Sequence, residues 1–255
     1  YWYLSLMKNI LLIGNDTLHR RFLINSLIDS NFSIMGCIFE TKGIKPPFAV
    51  GPVFEEDEET FLKENFSKLT RLDLERIDTW HYPNANCEEC VTKIKELKPD
   101  LCIVSGAGLL KKDVIDAFPD GLINIHLGNA SEYRGLDTNL WAIYHNDFDN
   151  VGVTIHYVDS ELDTGDIICF KKVNIGENLK IHQLRFFEMK LANNLIQSAL
   201  LNYFKDELAA KKQLKKGRYY SSMPKDLKKL VLKKFNTRNE NYEKSYKIMF
   251  SKPKS

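Results

Sequence analysis

The segment Asn9-Ile10-Leu11-Leu12-Ile13-Gly14 constrains the fold more than any other. An unbroken apolar run this short, ending in glycine, suits a strand buried on both faces. Such strands belong to parallel sheets covered by helices. Phe22, Leu23, Leu27 and Ile28 then recur at helical spacing, and residues 33–39 read as a second strand. Asp78 to Tyr82 is a weaker third strand, 87–97 a helix, and 101–104 and 122–125 are two further buried strands. Strand and helix alternating at this spacing predict an α/β fold, Rossmann-like, with a mostly parallel sheet.

The texture then changes. Residues 153–158 and 167–170 are β-rich runs separated by a polar turn, and 181–208 carry one long helical pattern. Residues 217–224 read as a turn and strand with paired tyrosines, and 226–235 as a short lysine-rich helix. No internal repeat or low-complexity linker divides the chain. The expected organisation is one large domain over 7–210 and a small basic C-terminal hairpin and helix appendage over 211–255. Met7 reads as the natural start, with residues 1–6 a non-native or upstream extension.

Hydrophobic residues at 44% and charged residues at 27% suit a globular chain with a sizeable core. The net charge of +2 hides an asymmetry, because 211–255 hold 15 Lys/Arg against 3 Asp/Glu. Such a tail suits a nucleic acid or other anionic partner, or simply a solvated helical face. Five cysteines, three of them in apolar runs, point to a reducing cytoplasm rather than a disulfide framework. No apolar run reaches the length of about 18 residues needed to span a membrane. Cys87 and Cys90 form a CxxC with no second ligand pair, which reads as a helix start and not a zinc site. His156 reads as a structural residue of an alternating strand, and His19, His81 and His145 stand without paired ligands.

In open α/β sheets ligands bind beyond the carboxyl ends of strands. That marks Gly14-Asn15-Asp16-Thr17 and the stretch after Asn124. Asn124 and His126 are two apart and share one strand face, and Asp163 follows 37 residues after His126. An amide donor, an imidazole and a carboxylate are suitable parts for acyl transfer. The first steadies an oxyanion, the second handles a proton, and the third orients the imidazole or a water. Taken alone, Asn-x-His also reads as a satisfied polar strand end.

The stretch NIHLGNASEYRGLDTNLW from Asn124, followed by GVTIHYVDSELDTGDII, resembles the folate-dependent formyltransferase family over roughly residues 7–200. Asn-x-His, Tyr-Arg-Gly and Leu-Asp-x-Gly occur in that family's order and spacing. The resemblance implies a Rossmann-like formyl-transfer domain in which Asn124, His126 and Asp163 are the catalytic triad. It also implies N10-formyltetrahydrofolate as carbon donor, with no metal and no covalent enzyme intermediate. A neutral amine attacks the formyl carbon, Asn124 donates to the developing negative oxygen, His126 collects the proton, and Asp163 holds His126. One preorganised oxyanion donor is worth about 2.7–4 kcal/mol of barrier. The donor loops implied are Gly106, Gly108, Leu109 and Leu110 on one side and Val158, Asp159 and Ser160 on the other. Small residues there let backbone approach a flat ring.

Three branches of the family differ in their amine. The loop after the first strand has a single glycine, unlike the glycine-rich phosphate loop of the glycinamide ribonucleotide enzymes. Leu127-Gly128-Asn129 replaces the Ser-Leu-Leu-Pro of methionyl-tRNA formyltransferases, and about 45 residues after 210 are too few for their C-terminal barrel. The nucleotide-sugar N-formyltransferases fit best, although the proline expected near Ser131 or Glu132 is missing. The resemblance therefore implies a dTDP-linked amino-dideoxysugar acceptor, preferentially dTDP-4-amino-4,6-dideoxyglucose, and a place in surface polysaccharide synthesis such as lipopolysaccharide O-antigen. It also implies a homodimer formed through the C-terminal hairpin. Candidate acceptor residues are Asn15, Asp16, Asn84, Asn86, Tyr133, Arg134, Tyr219 and Tyr220. Arg134 suits a phosphate or a loop-holding salt bridge, and Tyr219 or Tyr220 a base or hairpin packing. The competing readings are an enzyme acting on charged tRNA through the basic tail, and a non-catalytic folate- or nucleotide-binding relative.

Overall fold

The computed structural model describes residues 8–43, 45–118, 121–176 and 178–250, with 239–250 as backbone only. The expected extension over 1–6 lies outside the described residues. Seven strands form the central sheet: β1 (Ile10–Gly14), β2 (Ile34–Glu40), β3 (Asp78–Tyr82), β4 (Leu101–Ser105), β5 (Leu122–His126), β7 (Gly152–Tyr157) and β8 (Ile167–Lys172). Their order is β3-β2-β1-β4-β5-β7-β8. The first five run parallel, β7 pairs antiparallel with β5, and β8 pairs antiparallel with β7. The α/β fold read from the sequence is the fold observed.

β1 shows why the apolar run had to be a doubly buried strand. Alternate side chains face opposite layers. Ile10 and Leu12 join a core with helices α1 (Leu18–Asp29), α2 (Glu55–Phe66) and α6 (Leu184–Tyr203). Leu11 and Ile13 join one with α3 (Glu88–Leu97) and the short α4 (Lys112–Ile115). Cys90 is buried in that second core, where burial pushes its thiol up to about 12. α2 has no counterpart in the sequence reading. Five of its first six residues are acidic and the sixth is Thr60, and its buried stripe is only Leu62 and Phe66, one turn apart.

The chain order reverses between β1 and β4, and their carboxyl ends are Gly14 and Ser105. This switch point is where an open α/β sheet forms its ligand crevice. A third core closes one side of it, joining α5 (Thr138–Tyr144) to α7 (Lys225–Phe250) through Leu140, Ile143, Met223, Val231 and the fully buried Phe235.

The C-terminal appendage differs from the hairpin expected of it. Its strand β9 (Arg218–Tyr220) pairs in parallel with β6 (Tyr133–Gly135), not with a second strand of its own, and α7 runs well past the short helix read from 226–235. Aromatic packing favours this arrangement, because Tyr220 stacks between Tyr133 and Trp141 at centroid distances of 5.5 and 5.0 Å. Among the described residues no helix is long and apolar enough to cross a membrane.

Candidate active site

Asn124 and His126 end β5, where the strand runs out toward the crevice. Opposite them, the antiparallel partner β7 places His156 beside Asn124 and Thr154 beside His126. Asp163 comes from the turn between β7 and β8 with a left-handed φ of 55°. That turn is packed so tightly that a Cβ at Gly165 would overlap the Tyr157 carbonyl.

The three side chains predicted from the sequence converge. The Asn124 amide nitrogen lies 3.2 Å from Asp163 Oδ1 and 3.0 Å from His156 Nε2, and His126 Nδ1 lies 3.5 Å from the same carboxylate oxygen. His126 Nε2 donates to the Tyr133 carbonyl at 2.8 Å, which fixes the ring with Nδ1 toward Asp163. His156 Nδ1 donates to the Tyr157 carbonyl at 2.7 Å, leaving the Nε2 lone pair to accept from Asn124. The Gly135 N–H donates to Asp163 Oδ2 at 2.9 Å.

Charge follows from this geometry. Burial lowers the His126 imidazole below its ordinary value, with Asp163 opposing. Burial pushes the Asp163 carboxyl up, but His126, His156 and the Gly135 N–H together hold it well below the ordinary carboxylate range. At neutral pH the site is thus a carboxylate beside a neutral imidazole, the state in which His126 can take a proton.

All three residues line a cavity of about 630 Å³ at the switch point. Gly106, Gly108, Leu109, Leu110, Val158 and Asp159 line it too, and Ser160 does not. Gly106 has φ of 68°, a conformation glycine adopts without strain, and a Cβ there would overlap the Arg20 guanidinium. A flat ring between the 106–110 loop and the 158–163 turn would meet the small residues Gly106, Ala107 and Gly108 on one side and Val158, Asp159 and Leu162 on the other.

The acceptor candidates divide. Asn15 and Tyr219 line the cavity. Asp16 lies outside the lining and is paired with Arg21 at 2.6 Å. Asn84 and Asn86 are also outside; Asn86 braces the neighbouring loop through the Leu109 carbonyl and the Lys111 N–H. The Tyr133 hydroxyl donates to Asp147 at 2.9 Å, and Tyr220 is held in its aromatic stack. Arg134 lies outside the lining, has no carboxylate in salt-bridge reach among the described residues, and donates to the carbonyls of Gly217 and Leu162 at 2.6 and 2.9 Å.

The sequence reading missed the charged lining. Arg20 donates to the Ser105 carbonyl at 2.5 Å and to Thr17 at 2.9 Å, and burial lowers its guanidinium to about 9. Arg185 is 2.9 Å from Glu188 and 3.9 Å from Glu58, whose carboxyl burial pushes up to about 7. Lys228 of α7 is 2.6 Å from Glu55. These residues come from four helices or their entry loops, so no local pattern joins them. His156 was legible in principle, since antiparallel pairing of 122–126 with 152–157 puts it opposite Asn124.

The fold has known parallels. It superposes on a 4-N formyltransferase from Francisella tularensis with a TM-score of 0.59 at 18% identity, covering 85% of this chain and 77% of that one. A formyltransferase from Anoxybacillus kamchatkensis, in complex with UDP-4,6-dideoxy-4-formamido-L-AltNAc and tetrahydrofolate, matches with a TM-score of 0.52 at 20% identity, covering 88% of this chain and 89% of that one. In sequence, the methionyl-tRNA formyltransferase of Clostridioides difficile is 28% identical over 181 residues, 69% of this chain and 53% of the relative. The chain spans about half the length of the curated relatives it matches. The model of the formyl transferase family matches residues 54–199, more than half of the chain, and the chain therefore belongs to the formyl transferase family.

Proposed function

We propose that this protein transfers a formyl group from N10-formyltetrahydrofolate to the amino group of a nucleotide-linked amino sugar, with dTDP-4-amino-4,6-dideoxyglucose as the preferred acceptor. The observation that carries the reading is the convergence of Asn124, His126 and Asp163 on one wall of a cavity also lined by the 106–110 loop. The folate would supply an electrophilic formyl carbon, held between that loop and the 158–163 turn. His126, neutral and buried, takes the proton of the attacking amine through Nδ1, directly or by a water, and Asp163 stabilises the imidazolium that results. Asn124 steadies the developing negative oxygen. Both of its amide hydrogens are engaged, by Asp163 and His156, so it does this by sharing one or by releasing His156. Arg20 and Arg185 supply positive charge for the acceptor's phosphates.

Sugar acceptors are supported by the fold's parallels and by the 126–141 loop, where His-Leu-Gly, Tyr-Arg-Gly and Asp-Thr-Asn-Leu-Trp in succession resemble the sugar enzymes' version. A second reading, formylation of a charged tRNA, is favoured by the curated relatives and by the basic residues after 210. The deciding experiment is turnover with N10-formyltetrahydrofolate against dTDP-4-amino- and dTDP-3-amino-dideoxyglucose, UDP-4-amino-arabinose, glycinamide ribonucleotide and charged initiator tRNA. One amino sugar turned over, with loss in Asn124→Ala and His126→Ala, supports the proposal. Turnover of tRNA alone overturns the sugar assignment, and tight folate binding without turnover leaves a binding protein. The homodimer that the same reading implies is checked by the protein's mass in solution.

A further inference from the structure

We propose that Gln213, in the C-terminal segment beyond the family-matched residues 54–199, is a positioning residue for the Asp163 carboxylate. The inference rests on the reading of Asp163 as part of the reacting site. Gln213 Nε2 donates to the Asp163 carbonyl at 3.0 Å and to the Gly165 carbonyl at 2.9 Å. Both partners are acceptors only, so the amide nitrogen must face this turn. The other end of the same amide, Oε1, is buried without a hydrogen-bond partner. A side chain serving packing alone would avoid an orphaned buried oxygen, since an apolar group of that size fills the space without one. What the amide contributes is its two bonds to the turn.

That turn needs holding. Asp163 sits in the left-handed region at φ 55°, uncommon for a residue with a side chain though better tolerated by aspartate than by most. Arg134 donates to the Leu162 carbonyl, so the carbonyls of 162, 163 and 165 are all bound by side chains. Gln213 is itself fixed from both sides. Lys211 forms an antiparallel bridge with Ile167, and Gly217 packs against the backbone of 130–132, where a Cβ would not fit. A backbone so held sets where the carboxylate stands relative to His126 Nδ1, 3.5 Å away.

The test is made on the full chain with Gln213→Met, which keeps the volume and removes the donor, and with Gln213→Leu, which removes both ends of the amide without adding a charge. Lys215→Ala, which removes an exposed pair with Glu132 in the same segment, is the control. Two readouts are taken: the His126 titration by nitrogen NMR, with Asp163→Asn as reference, and steady-state formyl transfer to the amino sugar the wild type accepts. The His126 midpoint should move down in both Gln213 variants, in the direction of Asp163→Asn, because the carboxylate that favours the imidazolium has shifted. With it, kcat should fall on the order of 10- to 100-fold with KM for both substrates little changed. Lys215→Ala should match the wild type in both. A wild-type His126 titration and kcat in folded Gln213→Met overturns the proposal; if that variant does not fold, the same result in Gln213→Leu does so. A shifted His126 midpoint in a chain that turns over no acceptor supports the positioning role and overturns the formyl-transfer reading instead.

Discussion

His156 accepts a hydrogen from the Asn124 amide at 3.0 Å while its own Nδ1 is tied 2.7 Å from the Tyr157 carbonyl. The bond on Nδ1 fixes the tautomer, and the tautomer fixes which face of Asn124 points at the imidazole. Replacing His156 by Phe keeps a ring in the space and removes the acceptor. One amide hydrogen then lacks a partner, and Asn124 loses its fixed orientation. The expected outcome is a fall in kcat of roughly 10- to 100-fold with KM for the folate donor little changed, read by steady-state kinetics.

Burial holds the His126 imidazole below 6.5, its ordinary value. A group that must be neutral to take a proton loses function as pH falls through its own midpoint. The acid limb of kcat/KM should therefore lie below 6.5 in the wild type. Asp163 favours the charged imidazole, so Asp163→Asn should move that limb further down while lowering the plateau. A pH–rate profile of both proteins checks the sign.

Gly106 sits at φ 68° with the Arg20 guanidinium over the place a side chain would take. Gly106→Ala meets both a disfavoured backbone and a collision with a side chain that is bonded to Ser105 and Thr17. A stability loss of about 1–3 kcal/mol is expected in urea melts. Weaker folate binding in titration calorimetry should accompany it.

Glu58 binds its proton more tightly folded than unfolded, its carboxyl being pushed from 4.5 up to about 7 by burial. Between those values the folded state holds more protons, so this residue's contribution to stability declines as pH rises through the window. Glu58→Gln removes the decline. Comparing urea midpoints at pH 5 and pH 8 should show the variant less sensitive to pH, with a relative gain at pH 8 on the order of 2 kcal/mol.

Phe235 of α7 is fully buried against α5 and the loops that enclose the cavity. Phe235→Ala should cost about 3–5 kcal/mol. Because α7 also carries Lys228 to Glu55, activity should fall at temperatures where the main sheet is still folded. Following activity and far-UV circular dichroism together through a thermal melt separates the two events.

What the sequence determined by itself was whatever short-range pattern encodes. β1 and β4 were legible because a strand buried on both faces is apolar at nearly every position, and β5 because Leu122, Ile123 and Ile125 carry the same signal around Asn124. Asn124 and His126 were legible because a two-residue spacing on a strand is already a shared face. α2 was not, since its buried stripe is one pair of residues behind an acidic front. The tertiary structure alone decided the rest. Whether Asp163 reaches His126 depends on a left-handed turn and on bonds from Gly135 and Gln213, which lie far from it in the chain. The charged cavity wall of Arg20, Glu58, Arg185 and Lys228 exists only where separate helices converge. The C-terminal strand pairs with β6 because Tyr220 finds its stacking partners there, and no pattern within 211–224 names a partner strand. Local periodicity records which face of an element is buried; it does not record which distant surface buries it.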